Sequence, residues 1–311
     1  MPSIEDSANE IAHTLRMAGL EIVECADFNF CLDAAARGEG KHIIVKAASN
    51  VDKIDEEIAS ELRTVGSALA ASSLIVGSRT QHGTLEENVV YERHGIPALT
   101  METFRRVLNE NEQPYIHARR GGFFVTLDGG RLREARERLG LSLGQLAERV
   151  GVTRRAIYEY ERMGMTAALP TVERLERVLS TDVALPQDIL NWKGDEPERP
   201  PNPATGEKKN LVDSLSNAGF EAYPLDKAPF DIIAKEGDSK IGLLQERTLT
   251  QNHSLGRVRV AKTIAEFLDT IFMVITKREV ADEIEGVPVI GEKALKRARD
   301  PEAVMDLAKL N

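Results

Sequence analysis

Residues 142 to 161 carry the tightest local constraint in the chain: two short helices are made to meet across the turn Gly151-Val152-Thr153. Ser142-Leu143-Gly144-Gln145 opens the first helix as a capping box, in which the serine oxygen accepts an orphan amide while the glutamine reaches back to the cap. Leu146, Ala147 and Val150 give this helix one apolar face and Gly151 breaks it. Thr153 then caps a second helix, Arg154 to Glu161, whose inward residues are Ile157 and Tyr160. Ala147 falls where the helices cross, so a larger side chain there would push them apart. Four residues on, Gly151 can take the left-handed backbone that so tight a turn requires.

That geometry leaves the first turn of the second helix free to enter a DNA major groove, about 12 Å wide, with its N-terminal side chains toward the base edges. Arg154, Arg155, Tyr158 and Glu159 are the candidates. The flanks extend the pattern. Asp128 or Gly129 precedes an amphipathic helix from Arg131 to Leu139, closed by Gly140. Pro170 stands at or near the start of a further helix, Thr171 to Leu179, with Val172, Leu175 and Val178 inward. The expected unit is an all-α five-helix domain ending near Leu190.

Three segments in order, Leu-Arg-x-x-Arg from Leu132, Leu-Ser-x-x-x-Leu-Ala-x-x-x-Gly-Val-Thr from Leu141 and Ile-Tyr-x-Tyr-Glu from Ile157, resemble the lambda-repressor/Cro (XRE) helix-turn-helix family. The resemblance implies double-stranded DNA as partner, with base and phosphate contacts at Thr153, Arg154, Arg155 and Glu159. Arginine commonly reads guanine O6 and N7. Many members place a glutamine at the second position of the earlier helix. This chain has Leu143 there, which passes that contact to Arg149 or Ser142 or removes it. Glu161 is expected to hold the end of the recognition helix.

A net charge of −10 over 311 residues argues at first against a nucleic-acid partner, since phosphate binding needs positive charge. The distribution answers the objection. Residues 1 to 118 hold ten Lys and Arg against nineteen Asp and Glu, whereas residues 119 to 182 hold twelve against nine. A basic reading head on an acidic body can still bind DNA. No run of eighteen apolar residues and no basic, apolar leader is seen, so the expectation is a cytoplasmic protein. Cys25 and Cys31 read as small buried hydrophobes. The six histidines, His13, His42, His82, His94, His117 and His253, lack metal-ligand spacing, so neither a metal nor a cofactor is assigned.

A weak internal repeat brackets the helical region. At an offset of 200, Ala18-Gly19-Leu20-Glu21 matches Ala218-Gly219-Phe220-Glu221, Phe30 matches Phe230, Ile43-Ile44 falls on Leu243-Leu244, and Ile75 on Ile275. Gly95-Ile96-Pro97-Ala98 answers Gly286-Val287-Pro288-Val289 at an offset of 191, so the first copy carries a longer excursion around Thr80 to Glu92. Each copy reads as helix, three-strand meander, helix, buried strand, helix, short strand and closing helix. The expected organisation is an α/β domain at 1–118, the helix-turn-helix domain at 119–192, a proline-rich linker at 193–210 and a second α/β domain at 211–311.

The element order resembles the restriction-endonuclease-like fold, whose nucleases use Asp and then Glu-x-Lys on adjacent strands to hold Mg²⁺ and activate water. Carried over by position, the first copy offers Cys31 or Asp33, then Ile44 and Lys46. The second offers Asp231, then Leu244 and Glu246. Each set lacks the middle carboxylate, so both copies are expected to be degenerate, with no catalytic residue. Taken whole, the chain resembles a group of archaeal HTH-type transcriptional regulatory proteins, with Arg119-Arg120-Gly121-Gly122 before the helical unit and Tyr160-Glu161 within it.

The reading is a sequence-specific transcription regulator acting as a homodimer, with room for a small-molecule or protein effector. A nuclease-like enzyme or an adaptor built on the flanking domains stays open beside it, as does a helix-turn-helix used only for docking proteins. Two further features stay open: Arg257, Arg259 and Lys262 on one helix fit a plain solvated face, phosphate contacts or pairing with the acidic helix of a partner subunit, and Gly77-Ser78-Arg79-Thr80 resembles an anion-binding turn where a small-molecule effector could sit.

Overall fold

The computed structural model describes residues 4–25, 30–38, 40–163, 165–192, 204–246, 252–277 and 283–309. The first copy runs α1 (Ile4–Met17), β1 (Glu21–Glu24), β2 (Ala34–Gly38), β3 (Lys41–Asn50), α2 (Glu56–Leu69), β4 (Ser72–Arg79), β5 (Val89–Arg93), β6 (Ile96–Leu99) and α3 (Met101–Arg105), which continues as a π-helical turn to Glu110. A hairpin follows, β7 (Ile116–Arg119) and β8 (Gly122–Thr126). The helical unit is α4 (Gly129–Arg138), α5 (Leu143–Val150), α6 (Arg154–Met163), a short strand β9 (Thr166–Ala168) and α7 (Leu169–Leu179). The second copy holds α8 (Gly206–Asn217), β10 (Glu221–Pro224), β11 (Ile232–Glu236), β12 (Ser239–Gln245), α9 (Asn252–Phe267), β13 (Ile271–Thr276), β14 (Glu283–Ile284), β15 (Val287–Gly291), α10 (Glu292–Arg297) and α11 (Pro301–Leu307).

Strict alternation along β3 explains the layers. Ile43 and Val45 face α1, packing with Ile11 and Leu15, while Ile44 points to the side of α2 among Leu62 and Val65. The strands lie in the order β1-β2-β3-β4-β6-β5-β7-β8-β9 in one sheet and β10-β11-β12-β13-β15-β14 in the other. The helical unit is therefore not strung on a free tether after the first copy. Its hairpin joins that copy's sheet through the parallel pair β5 and β7, and the expected cut after residue 118 falls inside β7. Most of the expected proline-rich linker, residues 193–203, lies outside the described residues, and α8 already begins at Gly206.

Two expectations are corrected. The helix expected between the buried strand and the last short strand is absent among the described residues of both copies. In the first, the β-branched and aromatic run Val89-Val90-Tyr91 forms a strand instead. His94 and Gly95, both at positive φ, then turn it into β6 as a two-residue hairpin, and Glu285-Gly286 do the same between β14 and β15. The fifth helix of the helical unit is reduced to one 3-10 turn, Ile189–Asn191, capped by Asp188.

The two copies pack against each other within the chain. One apolar core takes Ile44, Leu62, Val65 and Ile75 from the first and Phe230, Ile233, Leu244, Val258 and Ile264 from the second. The contact is reciprocal: Arg37 on β2 donates to the Phe267 carbonyl at the end of α9, and Lys240 on β12 donates to the Leu69 carbonyl at the end of α2. Glu61, 1% exposed, accepts the backbone N–H groups of Asp226 and Lys227, each at 2.7 Å, across the same seam. Burial raises its pKa, against the pull of those two donors. No helix among the described residues is long and apolar enough to cross a membrane.

Candidate nucleic-acid interface

The corner formed by α5 and α6 follows from its own residues. Gln145 N–H donates to Ser142 Oγ at 3.2 Å and Ser142 N–H to Gln145 Oε1 at 2.8 Å, closing the capping box. Gly151 sits at φ 76°, and its N–H bonds the Ala147 carbonyl. Thr153 Oγ1 accepts from Ala156 N–H at 3.1 Å and so starts α6. Inside the corner, Leu146, Ala147, Val150 and Ile157 are buried with Leu132, Leu175 and Leu179. Leu179 takes the buried place expected of Val178, which is only partly covered, because the face set by Val172 and Leu175 comes round again at i+7, residue 179, and not at i+6.

Charged groups lock the corner. Arg136 on α4 clasps Glu161 at the far end of α6 through Nε at 2.5 Å and Nη2 at 2.9 Å, with both side chains nearly buried. Glu161 therefore has the structural role expected of it. Arg174 on α7 donates to the Val150 carbonyl at 2.7 Å, tying off the C-terminus of α5. Gly129 lets α4 touch α6: a Cβ there would stand 2.6 Å from the Tyr160 carbonyl oxygen.

The start of α6 is left to solvent. Thr153, Arg154, Arg155 and Tyr158 are exposed, Arg155 with 85% of its side chain free, and Glu159 is half-buried. Arg154 has no ion pair or hydrogen bond among the described residues, whereas Arg155 is paired with Glu159 at 2.7 Å one turn along. That carboxylate raises the arginine's pKa. On α5, Arg149 is exposed and unpaired among the described residues. Ser142 is exposed too, but its hydroxyl is spent on the cap. Arg162 was not singled out by sequence. Its guanidinium donates to Tyr158 Oη at 3.2 Å and lies over that ring, adding a cation to the same exposed face. The signal was the i, i+4 spacing from Tyr158.

Elsewhere the expected sites are filled from within. In the first copy Asp33 and Lys46 do meet, at 3.0 Å, with Asp33 also accepting from Ala47 N–H, and buried Ile44 stands where the nucleases place a carboxylate. In the second copy the residue match is displaced by two. Asp231 accepts from Gln245 N–H as Asp33 does from Ala47 N–H, so Gly242 and Leu244, not Leu244 and Glu246, occupy the places of Ile44 and Lys46. A repeat read at a constant offset could not register the shorter connection between β10 and β11, seven residues where β1 and β2 are joined by nine. Arg257 instead bridges Asp231 and Glu246, each at 3.3 Å. Arg259 pairs with Glu285, and Lys262 donates to its carbonyl.

The turn at Gly77 to Thr80 offers no anion cradle. β4 continues to Arg79, and the hydroxyls of Ser78 and Thr80 donate to the Ser49 and Gly83 carbonyls. Cys25 and Cys31 are buried free thiols, their pKa values pushed up by burial, that of Cys25 to about 12. Among the described residues one acidic trio, Glu57, Glu61 and Asp226, is close enough to share an ion, but Glu61 is already engaged by two amides.

Residues 4–114 match the PD-(D/E)XK superfamily domain, and residues 132–185 match a helix-turn-helix model. A Pyrococcus furiosus relative named as an HTH-type transcriptional regulatory protein is 34% identical over 280 residues, covering 90% of this chain and 89% of its own length. A relative of the same description from Archaeoglobus fulgidus is 33% identical, covering 85% and 84%, and one from Methanocaldococcus jannaschii is 33% identical, covering 87% and 86%. The likeness to these relatives thus takes in the capped helix pair in mid-chain together with both flanking α/β copies, and the chain belongs to this family of HTH-type transcriptional regulatory proteins.

Proposed function

We propose that the protein is a DNA-binding transcription regulator that reads a specific sequence in the major groove with α6 and works in the cytoplasm as a homodimer. One observation carries the reading: Arg154 and Arg155 stand exposed on the first turn of a helix whose far end is fixed by the Arg136–Glu161 pair. Arg154 is unengaged and serves as the primary base reader. Arg155 exchanges Glu159 for a guanine or a phosphate on binding, and Glu159 set free accepts from a cytosine amine. Thr153, Ser142 and Arg149 lie toward the backbone, and Tyr158 with Arg162 widens the contact. Each chain carries one such helix, and helix-turn-helix readers commonly pair half-sites about 34 Å apart, which favours two chains per operator.

The substitutions Arg154→Ala and Arg155→Ala together weaken binding to the protein's own promoter by about 1–3 kcal/mol for each base pair that is no longer read, measured by gel-shift at fixed salt. Binding equal to wild type overturns the reading. Nuclease chemistry is the less favoured alternative: Ile44 replaces a metal-binding carboxylate and Lys46 neutralises Asp33. Incubation with duplex DNA and Mg²⁺ tests it, and cleavage abolished by Asp33→Ala would reinstate it.

A further inference from the structure

One cleft lies apart from both the α6 face and the Asp33–Lys46 pair. It is a notch of about 760 Å³ at the carboxyl ends of the parallel strands β5 and β7, where Glu92-Arg93 and Arg119 diverge. Parallel strands that part at their carboxyl ends leave a crevice with no neighbour to fill it, a common place for a ligand in mixed sheets. Here one wall is the excursion that the first copy has and the second lacks, represented by Thr80 and His82. The opposite wall is the β7–β8 hairpin, with Arg119 and Arg120 at its tip and Phe123 and His117 at its base.

The chemistry of the walls is uneven. Arg93 is neutralised by Asp52, but Arg119 and Arg120 are exposed and have no hydrogen bond or ion pair among the described residues. His117 is 7% exposed, lines the notch and makes no hydrogen bond among the described residues. The Glu92 carboxylate stands 3.8 Å away, and the imidazole ring meets Trp192 edge-on. Phe123, half-buried, lines the notch from the other face of the sheet, where Ala118 also lies. Two free guanidiniums suit the oxygens of a phosphate, and the Phe123 ring suits a planar group; the space exceeds what a phosphate alone fills.

We infer that this notch binds a phosphorylated, ring-bearing small molecule of nucleotide size, held by Arg119 and Arg120. The consequence for regulation rests on the DNA-binding reading above. β8 pairs with β9, which leads directly into α7, and β8 itself leads into α4, so a ligand that draws the hairpin tip toward the excursion pulls on α4, which holds α6, and on α7, which holds α5.

The full-length protein is titrated with AMP, GMP, ADP and GDP, with inorganic phosphate, and with the unphosphorylated nucleosides, following Trp192 emission and equilibrium dialysis. Saturable binding of at least one nucleotide, weaker by about tenfold or more in Arg119→Ala/Arg120→Ala and unchanged in Arg154→Ala, is the expected result. Binding of phosphate alone with equal affinity would reduce the notch to a bare anion site and overturn the proposal, as would binding of none of the nucleotides. Equal nucleotide binding in the hairpin variant overturns it as well. So does a hairpin variant that loses promoter affinity without any nucleotide effect, since the two arginines would then be DNA contacts. Because dialysis requires no DNA, its outcome is separable from that of the gel-shift.

Discussion

Arg136 and Glu161 are separated by 25 residues in sequence, yet their bidentate contact is what holds the reading helix to α4. Breaking a nearly buried pair from one side strands a charge, so Arg136→Ala costs about 3–5 kcal/mol in urea unfolding, whereas Arg155→Ala, in a pair open to solvent, leaves the urea midpoint close to wild type. His117 supplies a pH test. Burial first and Arg119 second lower its pKa, so the unfolded chain binds its proton more readily than the folded one. Stability owed to neutral His117 is present above the ordinary imidazole value and is lost as pH falls from there toward the lowered folded value. His117→Gln flattens that fall, measured as the difference between wild-type and variant urea midpoints across the window. At this scale the sequence speaks plainly where a side chain acts on its neighbours. The Ser142 box, Thr153 and Gly151 are all legible, and so in principle is Arg162 on Tyr158, although nothing in the spacing ranks that pair above other exposed i, i+4 pairs. The coupling of Arg155 to Glu159 lies in the same spacing, but the reach of Arg174 to Val150 depends on how α7 folds back.

The helix corner depends on close approach as much as on capping. Gly129→Ala drives a methyl against the carbonyls at the end of α6, so α4 must shift. The expected cost is about 1–3 kcal/mol in thermal or urea unfolding, accompanied by weaker promoter binding although residue 129 is itself buried. Gly151→Ala, with open space around it but a left-handed backbone, costs roughly 1 kcal/mol, and the same gel-shift should change little. Elements with strong periodicity and caps were readable in advance. The β5–β6 hairpin was not, because an apolar run bounded by turn residues fits a buried helix end as well as a strand until its pairing partner is known. The two-residue slip of the second copy was hidden as well, since a β10–β11 connection shorter by an even number of residues leaves the alternation of side chains intact.

The whole molecule is built around a seam. One apolar core spans both copies, so heating should produce a single cooperative transition in the calorimeter rather than separate unfolding of two lobes. Glu61→Ala leaves the Asp226 and Lys227 amides without their acceptor and lowers stability by about 1–3 kcal/mol, with faster hydrogen exchange at those two amides as the local readout. Duplication was visible in the residues, but pairing of the duplicates within one chain was not, because an apolar face looks the same whichever partner covers it. Had such a pair been assembled from two identical polypeptides, any change in one half would appear in the other. Joined in a single chain, the halves are free to diverge, and they have: where one keeps an aspartate facing a lysine, its twin has placed an arginine across two carboxylates. One fold used twice has in this way become two different brackets for a single reading head.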